Sequence, residues 1–237
     1  LSDSPLYEPL EWTDDLVSAI WEYYGTKPET YFTCQFGDRI FEETQRYIPK
    51  GAEVCDYGCG AGFLLQRLLQ YHRTAGIDFT RENLRKTAEL VQGHPNLIGL
   101  FHPSEHTACA HSFGAIYFVE TVEHLLDHHM DSTFDALKKL LKPGGIVICT
   151  TPHDENLAEQ EVFCPVTRKT FHRYQHMRSF TIQSLAELFE SHGFDTVRTF
   201  TTNFAARTAK ERLKTRLRPY LGKKNPHLVH VGRVPAA

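Results

Sequence analysis

No stretch of this 237-residue chain approaches the roughly 18 consecutive apolar residues of a bilayer-spanning helix, so no transmembrane helix is expected. The amino end lacks the pattern of a secretory leader, and a cytoplasmic location is the expectation. Internal repeats and low-complexity segments are also missing. There is no excess of basic residues: 26 Lys and Arg stand against 29 Asp and Glu, a formal charge of −3 that disfavours a whole-surface polyanion binder. The six cysteines, at 34, 55, 59, 109, 149 and 164, are too scattered to suggest a disulfide framework, and buried free thiols are expected. What remains, 41% hydrophobic and 23% charged residues, is ordinary for a globular protein with one good core.

The chain is organised around residues 53–65, Glu-Val-Cys-Asp-Tyr-Gly-Cys-Gly-Ala-Gly-Phe-Leu-Leu, which read as a short strand, an acid, a glycine-rich turn and the start of an apolar helix. Gly58, Gly60 and Gly62 permit a tight turn with no side chain between backbone and ligand, and the helix that follows offers free N–H groups. A dinucleotide fingerprint would need G-x-G-x-x-G, but Phe63 occupies its third glycine position, which disfavours a nicotinamide oxidoreductase. Asp56 would repel a pyrophosphate and suits a ligand that carries an ammonium group, such as S-adenosylmethionine.

Three further pieces follow in order. Thr74-Ala-Gly-Ile-Asp78 is a second strand ending in an acid, where a carboxylate can grip ribose hydroxyls. Phe113-Gly-Ala-Ile-Tyr-Phe-Val-Glu120 ends in another, and Leu140-Leu-Lys-Pro-Gly-Gly145 leads into Ile146-Val-Ile-Cys-Thr-Thr-Pro152. With this ordered set, residues 38 to 200 resemble the class I S-adenosylmethionine-dependent methyltransferases. The resemblance implies that Asp56, Gly58, Gly60 and Gly62 surround the methionine part of the cofactor, that Asp78 holds the ribose, that Phe79 lies near the adenine and that Glu120 packs beside the cofactor.

The expected fold is an α/β, doubly wound, Rossmann-like methyltransferase sheet, mostly parallel with an antiparallel closing strand. Helices are expected over 13–24, from Asp38 through Ile48, after the glycine turn, on the spacing Leu84, Ala88 and Val91, on Phe134, Leu137 and Leu141, and over 181–192. Residues 194–200 and 228–233 read as the closing antiparallel pair. The expected organisation is a helical cap over 1–37, whose Trp12, Trp21, Tyr31 and Phe32 either wall a pocket or simply pack the helix onto the domain, then a methyltransferase domain over 38–237 with a lid at 153–179 and a basic insertion at 201–227.

Glu120-Thr-Val-Glu123-His124 follows a core strand at the carboxyl side of the sheet, and Phe171 to Thr181 carries His172 and His176 just before the last core helix. Together these resemble the metal-dependent small-RNA 3′-terminal 2′-O-methyltransferases, whose His-x-x-x-Trp-Thr matches His176, Phe180 and Thr181 with phenylalanine for tryptophan. The E-x-x-E-H run is similar to that of the ubiquinone-pathway O-methyltransferases. The resemblance implies Glu120, Glu123, His124 and His176 as ligands of a divalent metal (Mg, Mn, Fe, Co or Zn), with His172, His176 or His153 as base. A structural zinc site from Cys164, His172 and His176 is weakened by Thr167, which stands where a second cysteine would be needed.

The expected reaction is methyl transfer to a hydroxyl of a small molecule, sugar or glycan, with small-RNA 3′ ends as the alternative acceptor; nucleic acid is disfavoured by the net charge. Arg168, Lys169, Arg173 and Arg178 are candidates to meet an anionic group on the acceptor. Residues 205–224 hold eight basic residues from Arg207 to Lys224 against one acid, Glu211, with Ala209, Leu213, Leu217 and Leu221 every four residues. Such a helix can rest on an anionic membrane or substrate, or pack its leucines on the sheet.

Overall fold

The computed structural model describes residues 7–236, apart from the side chains of 106–108. The chain opens with β1 (Glu8–Pro9), α1 (Asp14–Tyr24) and α2 (Phe32–Thr44). Strand and helix then alternate: β2 (Val54–Tyr57), α3 (Phe63–Leu69), β3 (Thr74–Ile77), α4 (Arg81–Val91), β4 (Leu97–Phe101), β5 (Phe113–Val119), α5 (Asp127–Leu140) and β6 (Leu141–Pro152). A hairpin of β7 (Glu161–Cys164) and β8 (Lys169–His172) precedes α6 (Ile182–Ser191), β9 (Asp195–Thr202), α7 (Ala209–Leu217) and β10 (His227–Arg233).

Seven strands form the main sheet in the order β4-β3-β2-β5-β6-β10-β9. The first five run parallel, and β10 is antiparallel to both β6 and β9. Parallel strands covered on both faces must be apolar throughout, and all seven residues of β5 are buried. One face packs Phe118, Phe134, Leu137 and Phe189; the other packs Ile40, Leu64, Tyr117 and Phe204. Chain order reverses between β2 and β5, so a crevice opens beyond their carboxyl ends. A small sheet, β1-β8-β7, lies apart from the main one.

The fold differs from the sequence expectations in three places. α2 begins at Phe32 rather than Asp38, and so crosses the expected 37/38 boundary, because Phe32 packs on Phe204 and His227 at ring distances of 6.0 and 5.1 Å. The inward face of α4 is Asn83, Thr87 and Val91, with Ala88 exposed and Leu84 half-buried. At Val91 that face packs on Leu65 and Leu69 in the apolar core, while at its other end it meets the glycine turn, where the Thr87 hydroxyl donates to the Gly60 carbonyl at 2.8 Å. Finally, the leucines of α7 are exposed and do not pack on the sheet.

Candidate active site

The glycine turn joins β2 to α3 at the crevice, and Gly58, Gly60 and Gly62 all have positive φ, a conformation that costs side-chain-bearing residues strain. At Gly60 (φ +50) close approach adds to this: a Cβ would stand 2.8 Å from Cε1 of Tyr31, whose ring lies over the turn. Asp78, at the end of β3, accepts the Gly60 N–H at 2.7 Å through Oδ2 and the Thr80 N–H at 2.8 Å through Oδ1. The Tyr31 hydroxyl is buried with no hydrogen-bond partner among the described residues, and burial together with the Asp78 carboxylate pushes its pKa up.

A cavity of about 720 Å³ runs from this turn, lined among others by Trp21, Tyr31, Gly60, Asp78, Glu120 and His176. Gly58, Phe79, Phe32 and Glu155 also line it. Asp56 and Gly62 do not: Asp56 is buried in β2 beneath the turn, where desolvation and then the Asp78 charge raise its carboxyl to about 8. Gly62 caps α3 against Thr87. Trp12 lies away from the cavity, edge-on to Phe171 at 5.9 Å.

At the other end of the cavity, acids and imidazoles converge. Both oxygens of Glu123 are buried without a hydrogen-bond partner among the described residues, and burial followed by the neighbouring Glu120 charge drives its pKa well up. His124 is held neutral, its pKa pushed well down by burial and then by His176. The His124 Nδ1–H points at the Gln175 carbonyl at 3.4 Å, leaving Nε2, 3.7 Å from Glu123, with the lone pair.

His176 is fixed in the same sense. Its Nδ1–H donates to Glu155 Oε2 at 2.5 Å. The ring of His172 stacks behind it at 4.3 Å, and His172 Nδ1 accepts the backbone N–H groups of Tyr174 and His176 at 3.3 and 3.1 Å. Those two bonds put the His172 proton on Nε2, which faces Glu155 Oε1 at 3.4 Å. Burial raises the Glu155 pKa, but the interactions with His176 and His172 more than offset this, and its carboxyl lies below the usual glutamate range.

Ligand atoms of Glu123, His124 and His176 lie within 4.8 Å of one another, as do those of Glu155, His172 and His176. In the second group the hydrogen bonds already use Glu155 and the acceptor nitrogen of His172. The first group keeps one carboxylate and two imidazole nitrogens available, a donor set that fits a divalent transition metal.

Several expected roles are not supported by position. Glu120 lies outside both groups; its Oε1 accepts from the Thr150 hydroxyl at 2.8 Å, and burial raises its carboxyl to about 7. His153 does not line the cavity, because its Nδ1–H is engaged by the Asn225 carbonyl at 2.9 Å. His172 sits behind His176, its acceptor nitrogen taken, and is unavailable as a base. Cys164, on β7, joins neither group, so no Cys-His zinc site forms among the described residues. Arg178 binds the carbonyls of Val122 and Leu125 and the Asp127 carboxylate, holding the E-x-x-E-H loop instead of an acceptor.

Two residues escaped the sequence reading. Glu155 follows the end of β6, a position that marks site residues in such sheets. Gln175 left no sequence signal: fully buried at φ +61, it accepts from Trp21 Nε1 at 3.2 Å and donates to the His124 carbonyl at 2.8 Å.

The Methyltransferase domain family matches residues 29–199. Two curated relatives, the ubiquinone biosynthesis O-methyltransferases of Dinoroseobacter shibae and Haemophilus ducreyi, are each 34% identical, over 51% and 43% of this chain and 50% and 45% of theirs. The match thus spans about half the length of these relatives. Among solved structures, the Burkholderia thailandensis 1,6-didemethyltoxoflavin-N1-methyltransferase with bound S-adenosylhomocysteine has a TM-score of 0.65 at 16% identity, over 99% of this chain and 98% of that one. The Haemonchus contortus phosphoethanolamine N-methyltransferase 2 in complex with S-adenosyl-L-methionine gives 0.59 at 16%, over 94% and 57%. With the family match and with a sheet order and crevice like those of the solved structures, the chain belongs to the methyltransferase domain family.

Proposed function

We propose that this protein transfers the sulfonium methyl group of S-adenosylmethionine to a hydroxyl of a small molecule or sugar, beside a divalent cation held by Glu123, His124 and His176. The observation that carries the reading is Glu123, whose two buried oxygens have no hydrogen-bond partner among the described residues and stand beside imidazoles that retain free lone pairs. A buried carboxylate without a partner is costly, and a cation is the simplest group to satisfy it. Oxygen as the accepting atom is supported by the relatives named O-methyltransferases.

When bound, a divalent cation lowers the pKa of a coordinated hydroxyl and makes it nucleophilic near neutral pH. The chain's own residues supply the remainder. The bare backbone at Gly58 and Gly60 admits the donor, Asp78 fixes the turn and faces the cavity, and Tyr31 covers it against water. The acceptor hydroxyl releases its proton to solvent, its oxygen bonds to the methyl carbon as the carbon–sulfur bond breaks, S-adenosylhomocysteine leaves with that electron pair, and orientation of the two reactants supplies much of the rate. A metal-free reading is favoured by the Glu155–His176 bond, since a carboxylate on Nδ1–H leaves Nε2 placed as a general base.

The test uses S-adenosylmethionine carrying a labelled methyl group and a panel of catechols and sugars, after EDTA treatment and after return of Mn²⁺, Mg²⁺ or Zn²⁺. We expect transfer to oxygen that is lost with EDTA and restored by metal. Transfer unchanged by EDTA assigns the reaction to His176 alone. Failure to bind S-adenosylhomocysteine overturns both readings.

A further inference from the structure

The insertion between β9 and β10 departs from the usual construction of a surface helix. α7 is capped by Thr208, whose hydroxyl accepts the Glu211 N–H at 3.2 Å while Glu211 Oε2 accepts the N–H groups of Arg207 and Thr208. At 100° per residue, Lys210, Leu213, Lys214 and Leu217 share one side, and Thr215 and Arg212 face the opposite one. Thr215 is the buried residue of the helix, and Arg212 is half-buried against Glu42 at 3.3 Å. The leucine side therefore points away from the body of the protein. Leu213 is 57% exposed and Leu217 47%, and the next turn adds Tyr220 at 86% and Leu221 at 69%.

Charge accompanies these apolar residues. Arg207, Lys210, Lys214, Arg216 and Lys223 are exposed, and none forms an ion pair among the described residues. Glu211 is the one acid from 203 to 224, and the helix cap uses it. Uncompensated cations interleaved with outward leucines and a tyrosine are the recognition chemistry of an anionic bilayer: lysine and arginine stems extend beside the apolar residues while their heads reach lipid phosphates. RNA would use the cations but gains nothing from exposed leucines and offers them no apolar phase.

We propose that α7 and the turn through Lys224 dock this protein on an anionic lipid surface, independently of the methyl-transfer reading. The surface lies next to the cavity along the chain. Arg218 donates to the Lys224 carbonyl at 2.8 Å, Lys224 pairs with Asp154, and the segment ends in Pro226 and His227, which line the cavity wall.

The experiment is cosedimentation of the full chain with vesicles of phosphatidylcholine alone and of phosphatidylcholine mixed equally with phosphatidylglycerol, at low and high salt. The variants are Leu213→Asn with Leu217→Asn, and Lys210→Glu with Lys214→Glu; unchanged binding of S-adenosylhomocysteine certifies their fold. The expected result is pelleting with the anionic vesicles that falls with salt and drops by about tenfold or more in each double variant. Equal recovery with both vesicle types overturns the proposal, as does a leucine variant that pellets like the wild type. Tight binding of a short RNA that the leucine variant retains, without vesicle binding, assigns the surface to nucleic acid and also overturns it.

Discussion

Glu155 accepts the Nδ1 proton of His176 at 2.5 Å, and this single bond fixes the tautomer that leaves the lone pair on Nε2. His172 approaches the same carboxylate at 3.4 Å, so Glu155 stands between two imidazoles. A carboxylate in that position fixes the tautomer and the orientation of the ring. The substitution Glu155→Gln keeps the volume but replaces one acceptor oxygen with a donor. Metal affinity, measured by competition with a chromogenic chelator, should weaken by about 10- to 100-fold while S-adenosylhomocysteine binding stays unchanged. Unaltered metal affinity would show that Glu155 has no part in holding the site.

Gly60→Val should abolish cofactor binding, because the new side chain meets the Tyr31 ring and the φ of +50 disfavours a branched residue. Titration calorimetry with S-adenosylhomocysteine should show affinity reduced about 100-fold or more, close to 3 kcal/mol. The double variant with Tyr31→Ala removes the clash but keeps the strain, and should recover part of the loss. No recovery would locate the whole effect in the backbone.

Asp56 gives a pH signature. Its folded-state pKa, about 8, lies above the ordinary 3.8 because of burial first and the Asp78 charge second. Between those values the native state holds a proton that the unfolded chain releases, so this group's contribution to stability is full below pH 3.8 and is lost as pH rises toward 8. Asp56→Asn carries no such charge. Relative to the wild type, the variant should gain melting temperature steadily from pH 5 to about pH 8 and level off above it. A difference that does not change with pH would mean the carboxyl is not protonated in the fold.

Gln175 ties the amino-terminal helix to the acid and imidazole cluster, since it bonds Trp21 and the His124 carbonyl at once, and the Trp21 ring lies 4.6 Å from that of His124. Gln175→Ala leaves two half-buried groups, the Trp21 indole N–H and the His124 carbonyl, without this partner, at about 1 kcal/mol each. Limited proteolysis should then cleave within residues 7–24 faster than in the wild type. In a Trp12→Phe background, metal addition should change Trp21 fluorescence, and Gln175→Ala should diminish that change. Wild-type cleavage rates would separate α1 from the site.

The sequence by itself determined the class I sheet, the glycine turn and the acid that follows each of the first strands, because these depend on short-range facts: hydrophobic periodicity, glycine placement and strand-end acids. It also brought Glu120, Glu123, His124 and His176 forward as one group through the family resemblance, of which the structure draws the last three together and leaves Glu120 outside. Only the tertiary structure separated neighbours whose chemistry looks equivalent in a string of letters. His172 and His176 differ by one turn of chain, yet backbone amides occupy the acceptor nitrogen of the first and a carboxylate takes the proton of the second. Glu120 and Glu155 exchange places for a similar reason, since Thr150 engages one and the histidines engage the other. The leucine period of residues 209–221 announced an amphipathic helix, but which way it faced was set by the single buried contact at Thr215 and the ion pair to Glu42. Periodicity fixes which residues share a side; where that side points is settled by distant partners.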